Sequence, residues 1–401
     1  MPSSSTYELS SSDRRRSLAA VIAASFSVGI AFGIGFPLTA ITLEAWGEPK
    51  WMIGLAGAAP AIAILFALPI LPWAIRKLGA VVAMTGGAIL AGLGFIALAF
   101  VNDGVTWIAV RLVMSIGLAG PWLAGETWIN LVARDETRGR VIALYAMAFF
   151  TGFALGPLVL STFGTTGMAP FLIGSIGTVV ACLPIIVARN LAPDLSQRAH
   201  HNAFSAVHLA PIGMVCAFMS GFAETSYLSL IPNVGLAAGL DEARAIGLLS
   251  LITIGGIALQ FPLGWLSDKI SRLTVTFGLA IVFVALSLAL PFVLGMPLAA
   301  SLLVLLLGGV ILGFYSVGLM IVGEVVEPQN LAVANAGFLV LYQLGSIVGP
   351  ASAGAAMTYS PVFGFVATVC ILMLISGVGL WRLSRKSRSQ RVGAPVSDLD
   401  G

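Results

Sequence analysis

Apolar residues fill this chain in twelve blocks of 20 to 27 residues, parted by polar connections. Each block is long enough to cross a bilayer core as a helix rising ~1.5 Å per residue. The blocks are 18–43, 51–75, 80–101, 105–130, 141–162, 169–188, 208–234, 245–267, 273–294, 297–322, 332–357 and 361–382. Most connections are as short as the loops of helix bundles. The stretch 189–207 is the exception and separates two sets of six blocks. A polar side chain is costly in lipid unless it faces a cavity or a partner, so the polar positions inside the blocks carry information. Blocks 3, 6, 9 and 12 hold no Asp, Glu, Lys, Arg, His, Asn, Gln or Tyr in their interiors. Block 4 holds Arg111, Glu126 and Asn130 with Trp122 and Trp128, block 5 Tyr145, and block 7 Glu224 and Tyr227. Block 8 adds Gln260, block 10 Tyr315, and block 11 Asn335, Tyr342 and Gln343. This pattern predicts an outer scaffold of blocks 3, 6, 9 and 12, with the others around a central cavity.

The two sets of six repeat one another. Gly152-Phe-Ala-Leu-Gly156-Pro157 returns as Gly345-Ser-Ile-Val-Gly349-Pro350 after 193 residues. Pro72-Trp73 returns as Gly264-Trp265 after 192, and Phe36-Pro37 as Ile231-Pro232 after 195. A duplicated half threaded through lipid is a common plan of secondary transporters. Glycine lets helices approach closely, and proline inside a span frees a backbone acceptor. The two Gly-x-x-x-Gly-Pro runs are therefore expected as helix bends that allow movement. The expected organisation is an N-terminal tail 1–17, a six-helix half 18–188, a linker 189–207, a second half 208–382 and a tail 383–401.

Composition agrees with a chain built for lipid. Mean hydropathy is +1.02; 58% of residues are hydrophobic and 9% charged, where soluble domains carry about a quarter. The net charge of +3 matters less than its placement. With both termini taken as cytoplasmic, seventeen Lys and Arg fall on that side, from Arg14–Arg16 through Arg76, Arg134, Arg140, Lys269 and Arg272 to Arg382–Arg391. Only Lys50 and Arg244 fall on the other side, and Arg111 stays inside a block. That asymmetry predicts a multi-pass protein of the cytoplasmic (inner) membrane with both termini inside. The Ser-rich start lacks an apolar core and a cleavage site, so no removable signal peptide is expected.

Two ionisable residues sit deep in their blocks. Arg111 lies ~10 Å and Glu224 ~15 Å from the same side, in opposite halves. They are expected to face one cavity, with Glu224 as a protonatable coupling group, because burial and a neighbouring cation pull a carboxyl pKa in opposite directions. The alternatives are local: Arg111 capping carbonyls or reaching the headgroups, and Glu224 pairing nearby. Glu126 and Glu324 end blocks 4 and 10 on the basic side and are expected as inner-gate ion-pair partners, the alternative being a solvated helix end. Trp122, Tyr227, Gln260, Tyr315, Tyr342 and Gln343 are candidate substrate contacts, each with packing as its alternative. Cys182, Cys216 and Cys370 read as small packing residues. His200, His201 and His208 have no acidic or thiol neighbours at ligand spacing, so no metal site or cofactor is expected. No phosphate-binding Gly-x-x-x-x-Gly-Lys run and no hydrolytic constellation occurs, which argues against an ATP-driven pump or an enzyme.

Gly264-Trp-Leu-Ser-Asp268-Lys-Ile-Ser-Arg272 resembles the cytoplasmic-loop motif of the major facilitator superfamily, Gly-x-Leu-x-Asp-Arg-x-Gly-Arg, with Ser271 at the second Gly. The resemblance implies that Asp268 caps a neighbouring helix and, with Arg272, holds the cytoplasmic side closed. In the first half Pro72 and Arg76 replace the corresponding Gly and Asp. Gly152 to Pro157 is similar to motif C of drug–proton antiporters, and Arg111 to the motif B arginine with a proposed proton role. The segments around Gly125-Glu126 and from Phe314 to Pro350 are similar to the YcaD-type branch. The resemblance implies an all-α membrane protein of twelve transmembrane helices, in two pseudo-symmetric six-helix halves around a central cavity. It implies a secondary active transporter working by alternating access. Proton-coupled efflux of small amphipathic compounds is the first reading, by a monomer in the bilayer with protons and a small-molecule substrate as partners and no nucleic acid. Uptake by symport or uniport, and a non-transporting membrane sensor, are the alternatives.

Overall fold

The computed structural model describes residues 9–134, 136–193 and 207–392, apart from the side chains of 328, 332 and 387–392. Arg198, His200 and His201, most of the linker and the tail beyond 392 lie outside the described residues. Among the described residues, twelve helices are long and apolar enough to cross a membrane. They are α1 (Ser11–Ala45), α2 (Lys50–Leu78), α3 (Ala80–Leu98), α4 (Gly104–Val132), α5 (Arg138–Phe163) and α6 (Ala169–Val187), then α7 (Pro211–Ala237), α8 (Glu242–Lys269), α9 (Arg272–Val293), α10 (Pro297–Val325), α11 (Val333–Met357) and α12 (Pro361–Lys386). With an even number of crossings, both termini lie at one end of the bundle, here called the terminal end; the opposite one is the far end.

Each apolar block lies within one helix to within a few residues, and the departures have local causes. α1 starts seven residues before its apolar block because Ser10 caps it, its hydroxyl accepting the Asp13 N–H at 3.1 Å. Asp103 caps α4 through Thr106 N–H at 2.8 Å, and these hydrogen bonds hold its carboxyl below the ordinary value. Asp241 caps α8 and Ser271 caps α9 in the same way. Gly79 ends α2 with φ +85°, a left-handed conformation that other residues adopt at a cost. One irregularity had no counterpart in the apolar pattern: residues Gly120–Ala124 of α4 form a π-turn.

α1 and α7 are the most enclosed helices, with 72% and 83% of their apolar windows buried. α3, α6, α9 and α12 present Leu93, Ile176, Ile281 and Leu374 outward, as lipid-facing helices do. The duplicated glycines work as contact points. A Cβ on Gly152 or Gly156 of α5 would strike the α1 backbone at Phe26 to Ile34, and one on Gly29 or Gly33 of α1 would strike Phe149 or Phe153. The second half repeats this, with Gly345 and Gly349 of α11 against Phe218 and Phe222 of α7. The helices continue through Pro157 and Pro350. What the structure displays at these runs is backbone-to-backbone approach of α5 to α1 and of α11 to α7.

Candidate functional site

A cavity of about 90 Å³ opens in the middle of the bundle. Its lining comes from α1, α2, α4, α5, α7, α8, α10 and α11, with no contribution from α3, α6, α9 or α12. The four outer helices hold no polar residues of these types in their interiors, but α1 and α2 lack them as well and still line the cavity, so residue type accounts for part of the division. The volume holds several waters and is well below the ~300–1,000 Å³ of ordinary ligand sites. The site is contracted in this state.

The two walls differ in kind. The first half contributes Phe32, Phe36, Trp122, Phe149, Phe150 and Phe153. Their rings pack edge-on or stacked: Phe32 meets Trp122 at 5.8 Å and Trp122 stacks on Phe149 at 6.4 Å between centroids. The spacing of Phe32 and Phe36, and of Phe149 and Phe153, puts each pair on one helical face. The second half contributes Glu224, Thr225, Thr253, Tyr342, Gln343 and Ser346. Tyr342 O–H donates to Glu224 Oε2 at 3.0 Å and ties α11 to α7. Tyr315 packs edge-on against Tyr342 at 5.5 Å, behind that wall. Gln343 is only 2% exposed, and its Nε2 has no hydrogen-bond partner.

Other expected contacts fall elsewhere. Arg111 is not among the residues lining this cavity with Glu224. It is 1% exposed, its Nη1 donates to Gly35 O at 2.9 Å, and its guanidinium lies 5.7 Å from the Phe36 ring. The bond to Gly35 O inside α1 holds it behind the Phe36 ring, while Nε and Nη2 have no partner. Tyr227 is fully buried, shares a hydrogen bond with Ser287 at 2.8 Å and packs edge-on to Phe365 and Phe283. Gln260 donates to Gly256 O and accepts from Ser316, joining α8 to α10. Both side chains find their partners within one half, which removes the reason to face a cavity.

The two ends of the bundle are built differently. At the far end the halves touch directly. Asn233 of α7 is buried and donates to Ala40 O at 3.0 Å and to Glu44 Oε2 at 2.8 Å on α1. Glu44 also pairs with Lys50. Thr165 donates to Glu242 at 2.6 Å, and Gly54 of α2 lies against Pro350 and Gly354 of α11. At the terminal end, Arg272 pairs with Glu324 at 2.8 Å and donates to Met320 O, all inside the second half. Glu126 takes the Trp122 Nε1–H at 2.9 Å inside the first half. Asp268 is exposed, in a cleft with Ser271, Arg272 and Glu324. Arg272, Glu324 and Glu126 thus find their partners within their own halves in this state.

Of the aromatic wall only Trp122 was among the residues expected from sequence; its phenylalanines and the Asn233–Glu44 contact were not. Phenylalanine in an apolar block looks the same whether it faces lipid or a cavity; the i, i+4 pairs were the available signal. Among the described residues, no group of His, Cys, Asp and Glu is placed to hold a metal.

The chain matches the family model of the Major Facilitator Superfamily over residues 21–211 and 213–398. It is 28% identical over 340 residues to the uncharacterized MFS-type transporter YfkF of Bacillus subtilis, covering 81% of this chain and 85% of that one. It is 26% identical over 342 residues to the uncharacterized MFS-type transporter YcaD of Salmonella enteritidis, covering 82% and 88%. Among solved structures, the nucleoside transporter NupG superposes with a TM-score of 0.73 at 15% identity, over 92% of this chain and 98% of that one. A bacterial homologue of the lysosomal transporter Spinster, in an inward-facing and unoccupied conformation, does so with 0.75 at 15%, over 94% and 98%. Twelve membrane-crossing helices, a cavity at their centre and a family match along nearly the whole length give one conclusion: this chain belongs to the Major Facilitator Superfamily, a multi-pass membrane protein with the architecture of a secondary transporter.

Proposed function

We propose that the chain is a proton-coupled secondary transporter that exports small amphipathic compounds through the central cavity. The observation that carries this reading is Glu224, a carboxylate at mid-bundle, held by Tyr342 opposite a wall of aromatic rings. A lone buried carboxylate is costly when charged, so its protonation depends on whether a cation, a proton or water reaches it. That dependence is what couples a substrate to a proton gradient. The seventeen-to-two split of basic residues supports placing the terminal end in the cytoplasm of an inner membrane. The Asn233–Glu44 and Gly54–Gly354 contacts then close the outer side, and their separation, with Arg272, Glu324, Glu126 and Asp268 closing the inner side, forms the alternating cycle. The Gly-Pro runs at Gly152 to Pro157 and Gly345 to Pro350 serve as surfaces over which α5 and α11 slide as the halves rock.

Purified protein in liposomes containing a trapped pH dye tests this. Addition of a transported compound moves protons across the wild-type membrane, and Glu224→Gln abolishes that movement. Unchanged proton movement in Glu224→Gln removes Glu224 from the coupling role. A second reading, proton-coupled uptake, has support in fold neighbours such as the D-xylose–proton symporter, with a TM-score of 0.66; the direction of dye response on loading from either side separates the two.

A further inference from the structure

The central cavity is electrostatically one-sided. Among the described residues that line it, Glu224 is the sole ionisable carboxylate and no Lys, Arg or His is present. Among the described residues the one deeply buried cation is Arg111, which sits behind the Phe36 ring and donates one N–H to Gly35 O. An anionic ligand would meet Glu224 without a compensating cation, and like charges in such a site repel strongly. A cation would meet the carboxylate oxygen that Tyr342 leaves free, Oε1, and its other faces would rest on the π-clouds of Phe32, Trp122 and Phe149.

A second demand comes from Gln343, one residue beyond Tyr342. Its amide is 2% exposed, lines the cavity, and has an Nε2 with no partner. A buried donor without an acceptor is a standing cost. Water can reach the carboxylate while the cavity is empty, and a ligand that displaces it has to replace its hydrogen bonds, whereas Gln343 Nε2 is closed to solvent in this contracted state and gains an acceptor only when the site opens around a ligand. The free Oε1 asks for a charged donor, the free Nε2 asks for an acceptor, and the facing wall asks for an apolar or aromatic body.

We propose that the substrate is a compact organic cation carrying a carbonyl or ether oxygen near its charged nitrogen and an aromatic or apolar body. The nitrogen meets Glu224, the oxygen meets Gln343 Nε2, and the body lies on the α1–α4–α5 wall. This rests on the reading of the cavity as the transport site.

Four matched probes test it by calorimetric titration of the full chain in lipid nanodiscs. They are aminoethylbenzamide (cation with carbonyl), propylbenzamide (neutral), hippurate (anion) and phenylbutylamine (cation without carbonyl). Aminoethylbenzamide binds about tenfold tighter than propylbenzamide, the worth of one charge-assisted contact, and hippurate binds weakest. Phenylbutylamine binds several-fold weaker than aminoethylbenzamide to the wild type and equally to Gln343→Ala. Glu224→Gln erases the preference for cation over neutral, and Glu224→Asp keeps it; thermal melting confirms that each variant is folded. The proposal is overturned if the neutral probe or the anion matches the cation, if Glu224→Gln keeps the preference, or if none of the four binds up to its solubility limit. Failure of the transport reading looks different: the cation binds with this selectivity, yet proteoliposomes show no flux of it.

Discussion

Replacing Asn233 with Ala releases the far end of the bundle. Asn233 is fully buried, and its Nδ2 makes two bonds to α1, one to a backbone carbonyl and one to the Glu44 carboxylate. Interhelical hydrogen bonds in membranes average ~0.6 kcal/mol and reach ~1.7, while a bond to a charged acceptor in general contributes ~1.5–3. Against this stands the Asn233 Oδ1, which has no donor in the closed arrangement, a cost that alanine removes. The balance is a loss of about 1 to 2 kcal/mol specific to the closed state, or roughly a 5- to 30-fold shift toward opening. Glu44 keeps Lys50 as partner, so the variant leaves no bare charge behind. Spin labels on Ala45→Cys and Ala238→Cys, both at exposed positions on opposite sides of the contact, report the distance by pulsed electron resonance. The long-distance population grows by that factor in Asn233→Ala, and grows further in Asn233→Asp, where two carboxylates face each other. A distance distribution that stays within twofold of wild type, in a protein of unchanged melting temperature, refutes the idea that this contact holds the far end shut.

Arg111→Met replaces a buried cation with two unpartnered nitrogens by a shorter apolar side chain; removing a buried charge is often neutral or favourable to stability and offsets the lost packing, so the melting temperature stays close to that of the wild type. A drop of more than about 5 °C, roughly 4 kcal/mol for a chain of this size, would show that the buried charge itself supports the fold. Gly156→Ala and Gly349→Ala push a methyl into the backbones of α1 and α7 and destabilise by about 1 to 3 kcal/mol, whereas Gly86→Ala, inside α3 with open space around its Cβ position, does not destabilise and gains up to about 1 kcal/mol. Glu324→Gln breaks an ion pair that is 63% exposed on the acidic side; it costs less than about 1 kcal/mol, and the difference from wild type vanishes in 1 M salt on the Debye argument.

The helices were legible in the sequence because lipid imposes one rule on every segment: satisfy the backbone internally and stay apolar for about twenty residues. The position of the cavity was legible for the same reason, since polar residues in α4, α7 and α11 need somewhere to point. Individual side chains were less so. Tyr227 and Gln260 looked like cavity residues because a polar side chain in an apolar segment needs a partner; Gln260 finds one in its own helix at Gly256 O, and Ser287 and Ser316, 60 and 56 residues away, supply the others through packing. Glu44 and Asn233 sit near helix ends, where a polar residue is ordinary; their meeting, 189 residues apart, depends on how the two halves lean together. Periodicity within one helix contains no trace of that angle.

The π-turn at Gly120–Ala124 gives α4 a property of phase. An α-helix advances ~100° per residue, and a π-turn accommodates one extra residue without adding a full turn. The stretch from Gly104 to Ala119 and the stretch from Gly125 to Val132 therefore share an axis but are offset in rotation. A helical wheel drawn straight through α4 would put Arg111 and Glu126 at the wrong angle to each other. Trp122 sits inside the offset itself and reaches the cavity wall from there. Removing a single residue at the turn would restore a regular helix and swing Trp122 off that wall. A change in length of one residue, with every other side chain kept, is thus a way for this fold to redraw the shape of what it holds.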